Sequence, residues 1–264
     1  MSLAARVRGL GLVGPGLRGW TEAREILAGH ATYVSTPTVL PAPEALPATE
    51  RRRAGKCVKL ALATGLEAAA AAGLDPSSLA TVFASSSGDG ENCHAICETL
   101  ASDDRMISPT RFHNSVHNAP AGYWSIATGA TASADCIAAF DASFGAGLLE
   151  ALARLASEPR EPVMLLAYDA PYPEPLHGAR PIPDAFGVAL ALAAPQERGA
   201  GTLLRVDLVP AEASRMDAPA LEALRASIPA ARSLPLLALL ARGRPGTVTI
   251  AYLDDLALRI EAAP

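Results

Sequence analysis

Two pairs of side chains in this sequence have a spacing that could bind a metal ion. His113 and His117 are four residues apart, and so are Cys93 and Cys97. On a helix this spacing places both members of a pair on one face, and two such pairs could hold zinc tetrahedrally. Structural zinc sites more often place two residues between their cysteines, and nothing in the sequence brings the two pairs together. We therefore expect neither a metal site nor any other cofactor.

A thiol and an imidazole offer a second kind of chemistry. Cys136 could act as a nucleophile with His113 or His117 as its base, which would give an acyltransferase or a thioesterase. Cys136 falls inside a predicted strand, however, where burial as a small apolar side chain is the simpler interpretation. This stand-alone enzyme is the alternative to the hypothesis reached below.

The stretch after residue 130 predicts a strand, a sharp turn and a helix. The strand covers 131–139, and the turn consists of Phe140, Asp141, Ala142 and Ser143. Many α/β enzymes expose a nucleophile at such a turn, because its side chain lies beside free N–H groups at the start of the helix. No cysteine stands at this turn, so thioester chemistry is not expected there. Asp141 is expected to cap the helix instead.

The helix that follows this turn is too apolar for a helix on a protein surface. Its polar residues form only a narrow stripe of Glu150, Arg154 and Ser157, whereas a surface helix has a broad polar face. We expect the leucine-rich tail over 221–240 to cover part of this helix, and a partner protein to cover the rest.

Composition and charge exclude several classes of protein. Half of the residues are apolar and 5% are aromatic, which is typical of a globular chain with closely packed small side chains. The net charge of −5 argues against a nucleic-acid-binding face. The sequence contains neither a signal peptide nor an apolar run long enough to span a bilayer, so we expect a cytoplasmic protein with reduced cysteines and no membrane contact.

One short segment is basic although the chain as a whole is acidic. Its residues, which we call the basic segment, are Arg51, Arg52, Arg53, Lys56 and Lys59. These side chains belong either to the solvated start of a helix or to a docking site for an acidic partner.

The predicted elements alternate in the way expected of an α/β protein. Strands are predicted over 6–13, 79–85, 131–139, 162–167, 185–193, 202–209, 247–252 and 256–262, and the main helices over 20–28, 49–72, 91–100, 144–157, 218–227 and 234–242. This order favours parallel strands in the middle of a sheet and antiparallel strands at its edge. The strands 185–193 and 202–209 are predicted to form a hairpin about a turn at 196–201. The glycine-rich opening GLGLVGPG has the G-x-G-x-x-G spacing at Gly9, Gly11 and Gly14, but no acidic residue follows at the distance that a dinucleotide site requires, so we reject that interpretation.

Several segments resemble, in their order and spacing, the N-terminal half of a β-ketoacyl synthase of the thiolase fold. They are RVRGLGLVGPGL, RRRAGKCVKLALATGLEAAAAAGLD, ISPTRFHNSVHNAPAGYWSIATG, DASFGAGLLEA and PVMLLAYD. The third segment resembles the family's I-S-P…N-x-x-A-G-x-x-S-I…G stretch, and the fourth resembles the helix behind the nucleophile. The resemblance implies a thiolase-like half fold over residues 1–210, with a mixed, mostly parallel sheet and helices on both faces. A small capping segment of helices and strands would follow over 211–264.

The resemblance also shows where this sequence departs from the family. The family's nucleophilic cysteine stands at the strand–helix turn, and that position falls on Phe140 or on Asp141, depending on the alignment. The family's two catalytic histidines and its lysine lie in a C-terminal half that is not found here. We therefore expect a non-catalytic subunit of the chain-length-factor type, resembling the truncated factors of aryl-polyene and other type II polyketide systems.

The resemblance implies partners as well. An active β-ketoacyl synthase would form a heterodimer with this chain and make polyketide or fatty-acid-like chains, and an acyl carrier protein would contact the basic segment. A homodimeric scaffold without acyl ligands is a third hypothesis, and a homodimer could also form when the chain is isolated. Asp135, in the strand expected at the dimer axis, would face its own copy in a homodimer, which favours a partner with a basic residue there.

By resemblance, one set of side chains belongs to the dimer interface and the acyl pocket. Its members are Phe112, His113, Asn114, Val116, His117, Asn118, Tyr123 and Asp135. The helix that carries most of them could equally have a capping and core role.

Overall fold

The computed structural model describes residues 2–159, 161–197 and 201–263. Its strands are β1 (Leu3–Gly14), β2 (Leu17–Arg18), β3 (Ala80–Ala84), β4 (Ala134–Ile137), β5 (Val163–Asp169), β6 (Phe186–Ala193), β7 (Thr202–Val209), β8 (Gly246–Leu253) and β9 (Leu256–Ala263). Its α-helices are α1 (Trp20–Leu27), α2 (Ala48–Arg53), α3 (Lys56–Ala72), α4 (Gly90–Ala101), α5 (Pro109–His113), α6 (Ala119–Thr128), α7 (Ser143–Ser157), α8 (Leu176–Ala179), α9 (Pro219–Ser227) and α10 (Leu234–Arg242). Two short 3₁₀ turns matter below, the corner turn (Phe140–Ala142) and the tail turn (Ala230–Ser233).

One mixed sheet organises the described residues. Its strand order is β4-β3-β5-β6-β1-β7-β9-β8, with β2 paired to β1. Both β4 and β5 run parallel to β3, and the neighbours from β5 to β8 are antiparallel. Helices α3 and α6 pack on one face, and α1, α7 and α10 pack on the other. This is the predicted α/β architecture with helices on both faces of a mixed sheet.

Several details of the predicted topology were wrong. The parallel strands lie at one edge of the sheet rather than in its middle, and parallel pairs are fewer than antiparallel ones. Strands β6 and β7 do not form a hairpin, because β1 lies between them and pairs with both. A fully apolar strand such as β6 has the same sequence pattern whichever strand lies beside it. Residues 198–200 of the predicted turn lie outside the described residues.

The predicted helix over 49–72 is also interrupted. Helix α2 ends at Arg53, the backbone of Ala54 is extended, and α3 begins after Gly55. The basic segment therefore spans a break between two helices rather than the first turns of one.

Close contact between β1 and α3 explains the glycine-rich opening of the sequence. A Cβ atom on Gly11 would lie 2.0 Å from the carbonyl oxygen of Thr64, and one on Gly9 would lie 2.2 Å from that of Ala68. Only glycine lets the backbones of a strand and a helix approach this closely. These glycines therefore have a packing role.

The residues after 210 continue the same sheet. Strand β9 pairs along β7, and β8 pairs along β9. The outer edge of β8 is partly covered, since Ser214 donates its N–H to the carbonyl of Thr249 (2.8 Å) and its Oγ accepts the Thr249 N–H (2.9 Å). The domain boundary at residue 210 stays a prediction, and side chains from both sides of it share one apolar core.

Helix α7 is covered by the sheet and by parts of the tail. It packs on β1, β3 and β5, and the tail contributes the tail turn and β8. The expected cover from 221–240 is therefore provided by the tail turn, whereas the leucine-rich helix α10 packs mainly against α1 and β8. Among the described residues, no helix combines the length and the apolar character needed to cross a membrane.

Candidate functional site

The corner between β4 and α7 has the geometry of a nucleophile turn. Phe140, its first residue, is the only described non-glycine residue with a positive φ (50°), and its side chain is 62% exposed. The hydroxyl of Ser143 fixes the turn by accepting the Ala139 N–H (3.0 Å) and donating to the Phe140 carbonyl (2.7 Å). A strained residue between a strand and a helix presents its side chain outward, as in enzymes that use such a turn. Here the side chain presented is a phenyl ring.

Asp141, the next residue, is neutralised by two arginines. Arg180 donates to its Oδ1 (2.6 Å) and Arg232 donates to its Oδ2 (2.8 Å). The Arg180 guanidinium also lies 3.7 Å from the centroid of the Phe140 ring, a cation–π contact. The prediction that Asp141 caps α7 was wrong, because its carboxylate ties the loop after β5 and the tail turn to the corner.

Cys136, on β4, is poorly suited to act as a nucleophile. Burial, and to a smaller extent the negative charge of Asp135, raises the pKa of its thiol to about 11. The thiol is therefore protonated at neutral pH, and only the thiolate attacks acyl groups.

Asp135 has a basic neighbour within its own chain. Nη2 of Arg154 lies 2.6 Å from Oδ2 of Asp135, close enough for an ion pair although the angle is poor for a hydrogen bond. The charge of Asp135 is thus already paired within its own chain, which weakens the argument from Asp135 for a partner with a basic residue.

His113 and His117 make their contacts with groups other than the Cys136 thiol. The His113 ring packs edge-on against Tyr123, with centroids 6.4 Å apart, and Nε2 of His117 lies 3.3 Å from the carbonyl oxygen of Ser85. The geometry therefore gives no support to an enzyme that uses Cys136 with either imidazole.

The two pairs with zinc-like spacing do not form one site. Within residues 2–159, 161–197 and 201–263, no three His, Cys, Asp or Glu side chains are grouped so that they could hold a metal ion. Cys93 and Cys97 remain a separate pair of thiols on α4.

Strand β4 lies at the edge of the sheet and, in the described part of the chain, pairs with β3 alone. Helix α6 packs on β3, the neighbour of β4. Large apolar side chains of α5, α6 and their connection point into solvent: Phe112 is 69% exposed, Val116 53% and Ile126 47%. We call β4 together with these three side chains the edge region.

The predicted interface set is divided between surface and core. Phe112, His113, Val116 and Asn118 are exposed, and His117 is half-buried. Asn114 and Tyr123 are buried and hydrogen-bonded. The Tyr123 hydroxyl donates to the side-chain oxygen of Asn114 (3.1 Å), and the side-chain amide of Asn114 donates to the Arg53 carbonyl (3.0 Å). These two residues have the core role that the sequence left open, and they join α5 and α6 to the end of α2.

The basic segment borders a groove of about 460 Å³ between the α2–α3 break and helices α4 and α5. Arg52, Arg53, Lys56 and Lys59 line the groove, whereas Arg51 donates to the backbone carbonyls of Glu44 and Leu46. Arg111 lines it from α5. The sequence could not indicate Arg111, which is distant along the chain from the other cations.

A buried carboxylate joins the loop after β3 to the tail. Asp169, at the end of β5, accepts hydrogen bonds from the N–H and hydroxyl of Ser86 (2.9 and 2.6 Å) and from the N–H of Ala230 (2.8 Å). Burial raises the pKa of Asp169 to about 6, although these hydrogen bonds and the charge of Arg180 act to lower it. No sequence pattern indicated this side chain, since a lone Asp at a strand end has many roles.

Replacement of Asp169 by asparagine should change how stability depends on pH. The folded pKa of about 6 lies above the ordinary value of 3.8, so the folded protein holds the proton more tightly than the unfolded chain. The wild-type protein should therefore lose about 3 kcal/mol of stability in total as the pH rises from well below 4 to well above 6, a loss that Asp169→Asn lacks. In urea unfolding, the free energy of unfolding of Asp169→Asn should fall below that of the wild type by less at pH 7 than at pH 4. An equal difference in the free energy of unfolding at the two pH values would contradict this assignment.

Comparison with known proteins identifies the family. The sequence model described as "Beta-ketoacyl synthase, N-terminal domain" matches residues 20–249. The chain therefore belongs to the β-ketoacyl synthase N-terminal domain family. A search of curated proteins found no match.

Solved structures of ketosynthase complexes resemble this chain over its whole length. One is the ketosynthase (ApeO) in complex with its chain length factor (ApeC) from Xenorhabdus doucetiae, with a TM-score of 0.73 and 25% identity over 98% of this chain and 99% of that chain. The ishigamide ketosynthase/chain length factor has a TM-score of 0.70 and 16% identity over 98% of this chain and 99% of that chain. AntDE:AntF, a type II polyketide synthase carrier protein in complex with its ketosynthase, has a TM-score of 0.72 and 12% identity over 100% of this chain and 99% of that chain. These similarities confirm the predicted thiolase-like α/β fold.

Proposed function

We propose that this chain is a non-catalytic subunit of the chain-length-factor type that pairs with an active β-ketoacyl synthase. The pair would extend polyketide or fatty-acid-like acyl chains, of the kind made in aryl-polyene biosynthesis. The observation that carries this proposal is the corner, where the strained, outward-facing residue is Phe140. We assign Phe140, rather than Asp141, to the position of the family's nucleophile.

The chemistry of the corner supports a non-catalytic role. Acyl transfer through a thioester needs a thiolate at the start of the helix, and a phenyl ring has no lone pair to attack with. The carboxylate of Asp141 is neutralised by Arg180 and Arg232. The nearest thiol in sequence, Cys136, is held in its neutral form.

The size of the matched chains supports the pairing. This chain covers 99% of chains that belong to ketosynthase–chain length factor complexes. A subunit of this length with this fold is therefore a component of such complexes in other organisms. We carry that role over to this chain as part of the proposal.

The edge region is the surface that the synthase would cover. An edge strand exposes unpaired N–H and C=O groups that can pair with a strand of another protein. Exposed apolar side chains beside such an edge mark an interaction site. In this arrangement Phe112 and Val116, with His113, His117 and Asn118, would also shape the far end of the tunnel that holds the acyl chain.

The groove along the basic segment would receive the carrier protein. Arg52, Lys59 and Arg111 converge on it from three helices, so an acidic partner would meet several cations at once. The pairing of Lys56 with Glu91 (2.9 Å) leaves that cation less available. We therefore expect carrier docking to depend on Arg52 and Arg111 more than on Lys56.

A homodimer of the isolated chain is the second candidate. The ion pair of Asp135 with Arg154 supports it, because it removes the repulsion expected between two copies of Asp135 at a shared axis. Such a homodimer would cover the edge region with a second copy of the same surface.

Co-expression of the tagged chain with the ketosynthase encoded beside its gene tests the proposal. We expect a one-to-one complex that condenses acyl groups, and no acyl-transfer activity of this chain alone. The variant Cys136→Ala should leave the complex and its activity unchanged. A chain that purifies without the synthase and transfers or hydrolyses acyl groups until Cys136 is replaced would support the stand-alone enzyme instead.

A further inference from the structure

Two thiols on α4 take no part in the proposed function. Cys93 and Cys97 are both exposed and unoxidised, and they are separated by one turn of the helix. Residues four apart on a helix lie side by side on its surface. Both exposed side chains therefore lie on the same face of α4, one helical turn apart.

The helical spacing argues against a disulfide between these thiols. On an intact helix the Cβ atoms of such a pair are about 5–6 Å apart, whereas a disulfide needs about 3.5–4.5 Å. A single metal ion fits better, because two metal–sulfur bonds of about 2.3 Å each can bridge sulfurs up to about 4.6 Å apart. The helix can therefore bind an ion between the thiols without unwinding.

Hydrogen bonds hold the first turn of α4 in place next to Cys93 and Cys97. Asp89 caps it by accepting the N–H of Asn92 (3.0 Å), and the Asn92 side chain donates to the carbonyl of Arg111 (2.9 Å). The imidazole of His94 is occupied by Glu98 (3.3 Å), so it is not turned towards the thiols. The result is an ordered, open site with two sulfur ligands.

The number and softness of the ligands indicate the class of ion. A tetrahedral zinc site needs more ligands than two thiols provide, and the described residues hold no larger group of potential ligands. Thiolates select soft cations, of which copper(I) is the biological example. We propose that Cys93 and Cys97 form a two-coordinate site for a soft monovalent cation of the copper(I) class. Two sulfur–metal bonds form on binding, the two thiol protons pass to water, and no electron is transferred.

A competition titration of the full, reduced chain under anaerobic conditions tests this site. Copper(I) is supplied as its bicinchoninate complex, and loss of the coloured complex reports transfer to the protein. We expect one equivalent to transfer, and the exposed substitutions Cys93→Ser and Cys97→Ser each to weaken binding by about 100-fold, because one ligand of a chelating pair is lost. The matched variant Cys136→Ala should bind as the wild type does.

Two results would overturn the site. Equal copper uptake by the wild type and by the double variant Cys93→Ser/Cys97→Ser is one, and loss of uptake in Cys136→Ala is the other. Circular dichroism of each variant shows whether it is folded, and X-ray absorption at the copper edge should detect two sulfur neighbours. A spectrum with nitrogen neighbours instead would assign the ion to histidine and reject the pair.

Discussion

Replacement of Phe112 by aspartate is expected to separate this chain from its ketosynthase without unfolding it. The side chain is 69% exposed in the isolated chain, so its loss removes little from the core. In the proposed complex the ring would be buried in the interface with the synthase, and a carboxylate would be buried in its place without a partner. Loss of such an aromatic contact costs about 2–4 kcal/mol of binding free energy, which weakens the complex by roughly 30- to 700-fold.

Leu208→Asp is the matched control for this prediction. Leu208 is a large apolar residue with 50% of its surface exposed, and it lies on β7, which four other strands separate from β4 in the sheet. Both variants should unfold at the same urea concentration as the wild type, within about 0.5 kcal/mol. The dissociation constant for the synthase should rise in Phe112→Asp and stay unchanged in Leu208→Asp. Equal effects of the two substitutions would show that the edge region is not the docking surface.

Gly11→Ala should cause a large loss of stability. The new Cβ would lie 2.0 Å from a backbone oxygen of α3, and neither the strand nor the helix can yield without disturbing the sheet. We expect a loss of about 3 kcal/mol or more, at the upper end of the cost of overpacking. Urea unfolding followed by circular dichroism measures this loss directly.

Gly122→Ala serves as the matched substitution for Gly11→Ala. Gly122 lies in α6, and a Cβ there would meet no atom within 4 Å. Alanine favours a helix over glycine, so this variant should be about 0.5–1 kcal/mol more stable than the wild type. If both variants lose stability to the same extent, close packing of β1 on α3 is not the reason for the glycines.

Local patterns in the sequence predicted most elements and a strand–helix turn without a cysteine. The buried strands β1, β3, β5 and β6 have apolar runs that only a sheet interior explains. The turn between β4 and α7 was predicted together with its lack of a cysteine. These features depend on residues that are neighbours in sequence, which is why the sequence alone contains them.

The features that the sequence missed depend on residues far apart along the chain. Asp141 finds Arg180 and Arg232 at separations of 39 and 91 residues, and no local pattern distinguishes this pairing from helix capping. The position of β1 between β6 and β7 is equally non-local. Asp135 pairs with Arg154 only because α7 folds back beside β4. Such contacts are decided by the assembled fold rather than by periodicity.

Intact-protein mass spectrometry of the complex with the ketosynthase tests the central claim most directly. The complex is incubated with an acyl carrier protein loaded with a short acyl chain, and each subunit is weighed. The mass of the acyl group should be found on the synthase alone, because the corner of this chain presents Phe140 rather than a thiolate. An acyl group bound covalently to this chain, at Cys136 or at any other residue, would contradict the account.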